Sequence, residues 1–442
     1  MREKMISVDI AEAIRSNYKA FGKKENEDRK IPKRRDGLRP VSRRVLYSSY
    51  KCGIGTKSMK SAVICGDCSG HYHPHSDDII YGALVTLTKS GLYETQGNFG
   101  SIHGMSPASP AAKRYTDCKL TKEATDMMFG LIDFVPYTKN NLNFEEPDFL
   151  PTKYPLCYFQ STLNSGIGFG YRGDYPSYKL EDLKQRLFWL IKQRKTEPII
   201  EPYYGDYLEV KSSKDELKRL LTTGEGSITF VPKVVISGPK TISILANSMA
   251  GNFKKQVFSV FDDKMLKAGQ VGIVDRSTTK TEVVITFYGR GINPKDYVKL
   301  LSDRLSFAVS YNCIFVNDDR SIEKVSVDQM LVEIYQQYKD LFFKKIDYDV
   351  QQLQRKISDM DIIAKIRPFL RRHLGREVTA ELSSIISDLS RNASIPVEDI
   401  SRVIGAYSIK VLLTCNTDST ALQAKVKETT AKKTEAEVIS HY

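Results

Sequence analysis

Apolar and polar positions along the chain fall into three successive textures. Near the N-terminus they keep helical spacing. Pro40 suits a first helical position, and Val41, Val45 and Leu46 follow on one face, with Arg43 and Arg44 expected to project elsewhere. A second helix is expected to begin at Ser76, an acceptable N-cap. Asp77 and Asp78 lie in its first turn, and Ile80, Ala83, Leu84 and Leu87 share one face. A third is expected from Leu120 to Leu131. Between Asn141 and Asp319 the runs SITFVPKVVISG, VGIVD, EVVITFYG and NCIFVND are rich in Val, Ile, Phe and Thr, which predicts strands, interrupted by a helix over YKLEDLKQRLFWLIKQR. From Ser326 the steps of three and four through Val327, Leu331, Ile334, Tyr338, Leu341 and Phe342, then Ile346, Val350, Leu353 and Ile357, predict a long helix with a coiled-coil-like seam. A shorter helical cluster follows, with breaks expected near Pro368 and Pro396. The tail from Ser419 is read as the return arm of an antiparallel helical pair.

Together these textures predict an α+β protein. The three short helices, with their basic entry loop and Gly-rich connector, have the outline of a winged-helix or helix-turn-helix module. The expected organisation is an N-terminal arm (1–30), a winged-helix domain (31–140), an α+β second domain (141–322) and helical arms ending in a small helical domain (323–442).

Composition narrows the class. Lys and Arg total 66 against 53 Asp and Glu, a net charge of +13, which points to a polyanionic partner. The charge is concentrated in RKIPKRRDGLRPVSRR, Arg29 to Arg44, where Asp36 is the single acid. No apolar run is long enough to span a membrane, and the opening residues have no signal-peptide pattern. The seven cysteines are odd in number and scattered, so a reducing compartment, the cytoplasm, is expected.

The stretch CGDCSGHYHPHSDD, Cys65 to Asp78, gathers two cysteines and His71, His73 and His75, and so raises the question of zinc. Structural zinc sites usually pair two ligands, leave a dozen or so residues, and pair two more, so that the chain wraps the metal. Here every candidate falls within one short segment, and no second CxxC closes a shell. No metal site is expected in this chain. A zinc-dependent nucleic-acid binder stays as a competing reading that predicts bound metal.

Four ordered blocks give a different account: IPKRRDGLRPVSRRVLY, GDCSGHYHPHSDDIIYGALV, QGNFGSIHG and AAKRYTDCKL. Together they resemble the DNA breakage and reunion (A-type) subunit of type IIA DNA topoisomerases, which includes the gyrase and topoisomerase IV A subunits and the medium subunit of T-even phage topoisomerase. The resemblance runs more faintly onward through NSGIGFGYRGDYP, TTGEGSITF, VGIVDRSTTKTEVVITF and KVLLTCNTDSTALQAKV. It implies a winged-helix DNA-gate domain, an α/β tower domain, and a long antiparallel coiled coil with a small exit-gate domain. On this likeness Cys65 and Cys68 are buried apolar side chains.

The resemblance also implies the site. Tyr115 matches the nucleophile that forms a transient 5′-phosphotyrosyl link, and Arg114 the adjacent stabiliser of the transition state. Reversible cleavage needs a covalent link that conserves the phosphodiester energy, and a phenolate both attacks phosphorus and later leaves it. Arg35, Arg39, Arg43 and Arg44 match residues gripping the DNA backbone, and His73 and His75 match the HPH pair. Ile167 matches the isoleucine that wedges into bent DNA. Gln96, Asn98 and Ser101 fall in a loop near the active site. Magnesium and ATP are expected on a large partner subunit carrying ATPase and TOPRIM domains, since this chain has no DxDxD or GxxxxGK motif. Double-stranded DNA and a homodimer joined through the C-terminal gate complete the expected assembly, in host cytoplasm for a viral enzyme.

Some positions depart from the bacterial pattern. Ser42 stands where relatives have His, and His71 where they have Lys. Asp78 and Gly82 replace the serine and the acidic residue that anchor quinolones, so insensitivity to these drugs is expected. Nothing resembles a DNA-wrapping domain, which favours relaxation or decatenation over active supercoiling. The competing reading within the same fold is a non-catalytic DNA-binding or scaffolding relative.

Overall fold

The computed structural model describes residues 9–53, 57–101, 103–105, 108–158, 164–192, 196–246, 253–278, 280–374 and 382–441. They form two compact units, one up to Lys339 and one from Asp340 onward. The protein mixes helices and antiparallel sheet, the expected α+β composition.

The first unit opens with α1 (Ile10–Glu25), capped by the Asp9 carboxylate, followed by a short π-helical turn, Asn26–Lys30. Next come α2 (Pro40–Lys51), α3 (Ser61–His71) and α4 (Asp77–Thr88). Pro40 takes the N-terminal turn of α2, and Ser76 caps α4 by accepting from the Asp78 N–H. Ile80, Leu84 and Leu87 of α4 are buried as the periodicity predicts.

Helix α2 differs from the amphipathic expectation. Ser42, Arg43, Val45, Leu46, Tyr47, Ser48 and Ser49 are all buried, because α3 and α4 both pack against it. Helix α3 adds an element that the apolar spacing does not predict. It holds Cys65 and Cys68, both fully buried, and burial pushes the Cys65 thiol up to about 12 and the Cys68 thiol higher still.

A small antiparallel sheet completes this region, in the order β1 (Met59–Lys60), β3 (Asp117–Leu120), β2 (Tyr93–Gln96). Strand β3 takes the first residue of the segment expected to be helical from Leu120. Helix α5 (Lys122–Phe129) follows, where Thr121 Oγ1 accepts from the Ala124 N–H. The two-stranded ribbon β4 (Tyr137–Lys139) and β5 (Glu145–Pro147) follows.

Further along, β6 (Asn164–Ile167), β7 (Arg172–Tyr175), β8 (Leu208–Val210), β9 (Glu225–Gly238), β10 (Thr241–Ala246), β11 (Val271–Asp275), β12 (Thr281–Phe287) and β13 (Phe307–Asn312) build an eight-stranded antiparallel sheet. Its path runs β11-β12-β10-β9-β13-β7-β6, with β8 also on β9. Strand β9 changes partners along its length: Glu225–Phe230 pairs with β13 and Lys233–Gly238 with β10. The switch falls beside Pro232, which has no N–H to give to a ladder. On the β10-β12 side, Ile242, Ile244, Val283, Ile285 and Phe287 pack on Leu301 and Leu305 of the Pro294–Leu305 helix.

The expected long helix spans Val327–Leu374 and continues through Pro368 instead of breaking there. Ile363, Ile366 and Leu370 on either side are buried in the core of the second unit, which holds the helix against the loss of one backbone hydrogen bond. The remaining helices of this unit are Leu382–Ala393, Val397–Ala406, Ile409–Thr414 and Thr420–His441. On the last, Lys433 pairs with Asp347 of the long helix at 2.5 Å. No helix among the described residues is long and apolar enough to cross a membrane.

Candidate nucleophile and basic cluster

Tyr115 ends a single 3-10 turn, Lys113–Tyr115, between the QGNFG loop and β3. The residue is 61% exposed, so its phenol faces solvent. The Arg114 guanidinium lies over that ring, 4.7 Å from its centroid, and has no carboxylate or carbonyl partner among the described residues. A charged donor array therefore sits beside a solvent-facing phenol, with its N–H groups free for an incoming anion.

The backbone beneath is pinned from three sides. Tyr81 of α4 donates its hydroxyl to the Ala111 carbonyl at 2.7 Å and lies 3.1 Å from Thr116 Oγ1. Thr116, fully buried, also bonds Ser61 Oγ at 2.9 Å, and its carbonyl accepts the Ser61 N–H. Lys113 reaches Asp78 at 3.1 Å and Asp77 at 3.5 Å on the first turn of α4.

The third support is the loop after β2. Gly97 has φ +95°, and a Cβ there would lie 2.7 Å from the Tyr115 carbonyl oxygen. Asn98 accepts the Ala111 N–H at its own carbonyl and the Gly100 N–H at its side chain. Ser101 and Ala108 exchange backbone hydrogen bonds at 3.0 and 3.1 Å. Gln96, through its pairing with Asp117, and Asn98, through Ala111, thus meet the segment that carries Tyr115 by backbone contacts, while Ser101 meets Ala108 farther along the loop.

The basic residues separate into different environments. Arg43, expected at the DNA backbone, is an internal strut: it is 6% exposed, and its guanidinium bonds both Asp36 oxygens at 2.6 and 2.8 Å and the Leu38 carbonyl at 3.1 Å. Asp36 also accepts the Leu38 and Leu150 N–H groups, so the pair locks the RDG turn. Arg35 stays at the surface, paired with Asp318 at 2.5 Å and stacked over Phe149. Arg39 occupies the N-cap position of α2, where its carbonyl accepts the Arg43 N–H at 3.1 Å, and its side chain makes no hydrogen bond or ion pair among the described residues; burial lowers its pKa.

Arg44 forks onto Glu146 at 2.7 and 2.8 Å and donates from Nη1 to His73 Nδ1 at 3.1 Å. The arginine has only donors, so Nδ1 of His73 is the acceptor nitrogen of a neutral ring. Burial, with Arg44 and His75 beside it, pushes His73 down to about 3. Its ring meets that of His75 edge-on at 4.3 Å. His75 in turn takes Arg29 Nη2 at 2.7 Å, and burial followed by the charge of Arg29 lowers its pKa. Arg29 is a residue that the motif blocks leave out, although it opens the basic run. Arg29, Arg44, His75, Lys24, Lys33 and Lys139 face a common cavity of about 520 Å³.

No hydrogen bond, ion pair or ring contact among the described residues joins this cluster to Arg114 and Tyr115. Ile167 stands apart as well. It ends β6 at a hairpin whose tip is clamped by Asn26, which donates to the Phe169 carbonyl at 2.9 Å and accepts the Phe169 N–H at 2.7 Å. Ile167 itself is 67% exposed, a branched apolar side chain held out on a rigid support.

Residues 29–436 match the family of the DNA gyrase and topoisomerase IV A subunits. The chain belongs to that family. Similar curated proteins include the DNA gyrase A subunit of Borreliella burgdorferi, 26% identical over 392 residues, covering 80% of this chain and 46% of that protein. That of Thermotoga maritima is 33% identical over 259 residues, covering 55% and 31%. That of Campylobacter fetus is 34% identical over 199 residues, covering 42% and 22%. The chain thus spans less than half the length of these relatives.

The donors around Tyr115 do not suit magnesium. The nearby carboxylates are engaged by lysines, Asp77 and Asp78 by Lys113 and Asp117 by Lys60. No group of three His, Cys, Asp or Glu side chains converges among the described residues, so the residues present do not fit a metal site.

Proposed function

We propose that this chain is the DNA cleavage and religation subunit of an ATP-dependent type II DNA topoisomerase. The observation that carries this reading is the exposed Tyr115 on a pinned backbone with unpaired Arg114 stacked on its ring. The Tyr115 oxygen attacks a backbone phosphorus, forming the P–O(Tyr) bond as the P–O3′ bond breaks. The phenolic proton is lost and the departing 3′ oxygen gains one. Reversal reseals the strand with no net energy input. Arg114 donates to the non-bridging oxygens as charge builds there.

Arg35, Arg39, Arg44 and His75 bind the backbone of the cleaved duplex by charge and hydrogen bonding, without base readout, whereas His73, expected beside them at the DNA, is buried and neutral and orients Arg44 instead. Arg43 acts one step back, by fixing the turn that presents Arg35 and Arg39. Ile167 inserts between base pairs where the duplex bends, in the manner of apolar wedges.

On this reading α2 to α4 with the three-stranded sheet form the winged-helix DNA gate (31–140), preceded by the arm (1–30). The eight-stranded sheet and its helices form the tower (141–322), and the long helix with its return arm forms the coiled coil and exit gate (323–442), through which two copies dimerise. A large subunit with ATPase and TOPRIM domains supplies ATP hydrolysis and magnesium. The assembly relaxes or decatenates DNA in the cytoplasm.

The test is a covalent trap: the chain with a gyrase-B-type partner, supercoiled DNA and Mg²⁺, quenched with detergent, and the DNA-linked peptide mapped. An adduct at Tyr115 that vanishes in Tyr115→Phe is expected. DNA binding without any adduct would replace this reading with the scaffolding one.

A further inference from the structure

The loop that supports Tyr115 is held at its far end by two residues outside the candidate site, Asp275 and Thr281. The Gly104 N–H donates to Thr281 Oγ1 at 3.0 Å, and the Met105 N–H donates to Asp275 Oδ2 at 2.7 Å. Both acceptors sit where β11 ends and β12 begins, about 170 positions along the chain, in the large sheet instead of the small one. Thr281 is fully buried. Asp275 is oriented by the Ser277 N–H on its other oxygen at 3.0 Å, and the hydrogen bonds it accepts keep its carboxyl below the usual range. The Met105 side chain packs against the apolar core of the same sheet.

The approach leaves no room for a side chain at Gly104. Its φ is +89°, and a Cβ would lie 2.9 Å from Asp275 Oδ2 and 3.1 Å from Ser277 Cβ. From this clasp the segment runs back through the Ser101–Ala108 pair and the Asn98–Ala111 bond to Gly97, which lies against the Tyr115 carbonyl. Both ends of the supporting loop are therefore fixed, one by the nucleophile's own backbone and one by the second sheet.

We propose that Asp275 and Thr281 are positioning residues for Tyr115: by clasping Gly104 and Met105 they set the loop on which the nucleophile's backbone rests. The inference rests on the reading of Tyr115 as the nucleophile. Its physical basis is that an in-line attack tolerates little displacement, so a support that drifts by about an ångström lowers the rate on the order of a hundredfold. One neutral and one charge-assisted hydrogen bond to the loop backbone prevent that drift.

The experiment has two readouts on the full chain. Hydrogen–deuterium exchange of peptides spanning 96–116 reports the clasp without any reaction, and the covalent trap with partner subunit, DNA and Mg²⁺ reports its use. Thr281→Val and Asp275→Ala are expected to speed exchange in this segment, leave the rest of the chain and DNA affinity unchanged, and lower the adduct by about tenfold or more. Thr281→Ser, which keeps the hydroxyl, is expected to retain wild-type values in both. Gly104→Ala attacks the clasp from the loop side and is expected to match Asp275→Ala, with the double variant no worse than either alone. Unchanged exchange in Thr281→Val and Asp275→Ala would overturn the clasp, and faster exchange with a full adduct yield would overturn its positioning role. A wild-type chain that forms no adduct defeats the nucleophile reading alone, since exchange still decides the clasp.

Discussion

The carbonyl oxygen of Tyr115 occupies the space into which a Cβ on Gly97 would point, at 2.7 Å. Glycine is required there twice over, by φ of +95° and by this approach. Gly97→Ala is therefore expected to shift the nucleophile's backbone and cut covalent adduct by at least about tenfold. The stability loss should be smaller, about 1–3 kcal/mol, the scale of one strained backbone position. Trapping assays alongside urea unfolding separate the two effects.

Arg114 is expected to be irreplaceable by lysine. Its planar guanidinium both stacks on the Tyr115 ring and offers paired donors to a phosphate, and an ammonium does neither in the same geometry. Arg114→Lys should lower the cleavage rate on the order of a hundredfold, as removal of one transition-state donor does elsewhere. Single-turnover cleavage at saturating DNA measures this, and a rate equal to that of wild type would remove Arg114 from the chemistry.

Arg43 and Arg35, close in sequence, should behave in opposite ways. Arg43→Ala strands the fully buried Asp36 carboxylate and is expected to destabilise the first unit by about 3–5 kcal/mol. Arg35→Ala removes an exposed group and should change stability by less than about 1 kcal/mol. Its effect should appear instead as a shallower dependence of DNA affinity on salt, with the log–log slope reduced by about 0.9. Chemical denaturation and binding titrations at several salt concentrations check both.

His73 should make stability depend on pH. Its folded pKa is pushed from an ordinary 6.5 to about 3, so between these values the unfolded chain binds a proton that the folded chain does not. Stability then rises with pH across this window. The contribution is fully present above about pH 6.5 and is lost progressively as pH falls toward about 3. Thermal melts from about pH 7 to about pH 4 should show a smaller decline in His73→Asn than in wild type, and the His73 ring should not titrate by NMR between about pH 5 and about pH 8.

Quinolones should not stimulate cleavage. Asp78 is tied to Lys113, and Gly82 presents no side chain into the open space around it. The double substitution Asp78→Ser with Gly82→Asp is expected to create sensitivity. Plasmid linearisation over a drug titration tests this, and stimulation of the wild-type protein at ordinary concentrations would contradict it.

What the sequence determined by itself is everything encoded over short separations. The α4 face, its Ser76 cap, Pro40 at the head of α2, the β9, β11 and β12 strands and the long helix all follow from spacings of two, three and four residues, which backbone geometry imposes locally. Resemblance to a family, not spacing, marked out Arg114 and Tyr115 in the ordered blocks and Ile167 in NSGIGFGYRGDYP as candidates. Helix α3 escaped because its glycines and cysteines form no amphipathic face. Both α2 and the Pro368 region departed from expectation because burial on several sides overrides local propensity.

Only the tertiary structure decided which partner each polar group meets. Nothing in RKIPKRRDGLRPVSRR distinguishes Arg43, sealed against Asp36, from Arg35 at the surface, since both are arginines in one basic run. Thr116 adjoins Tyr115 in the chain, but its hydrogen bond with Tyr81 depends on how α4 meets the loop. Asp275 and Thr281 lie in VGIVDRSTTKTEVVITF, a segment with strand texture and a family resemblance, but nothing in it marks them as partners of a distant loop. Their role arises where two sheets, built from segments far apart in the chain, bring a buried hydroxyl and a carboxylate to two backbone N–H groups that would otherwise lack acceptors.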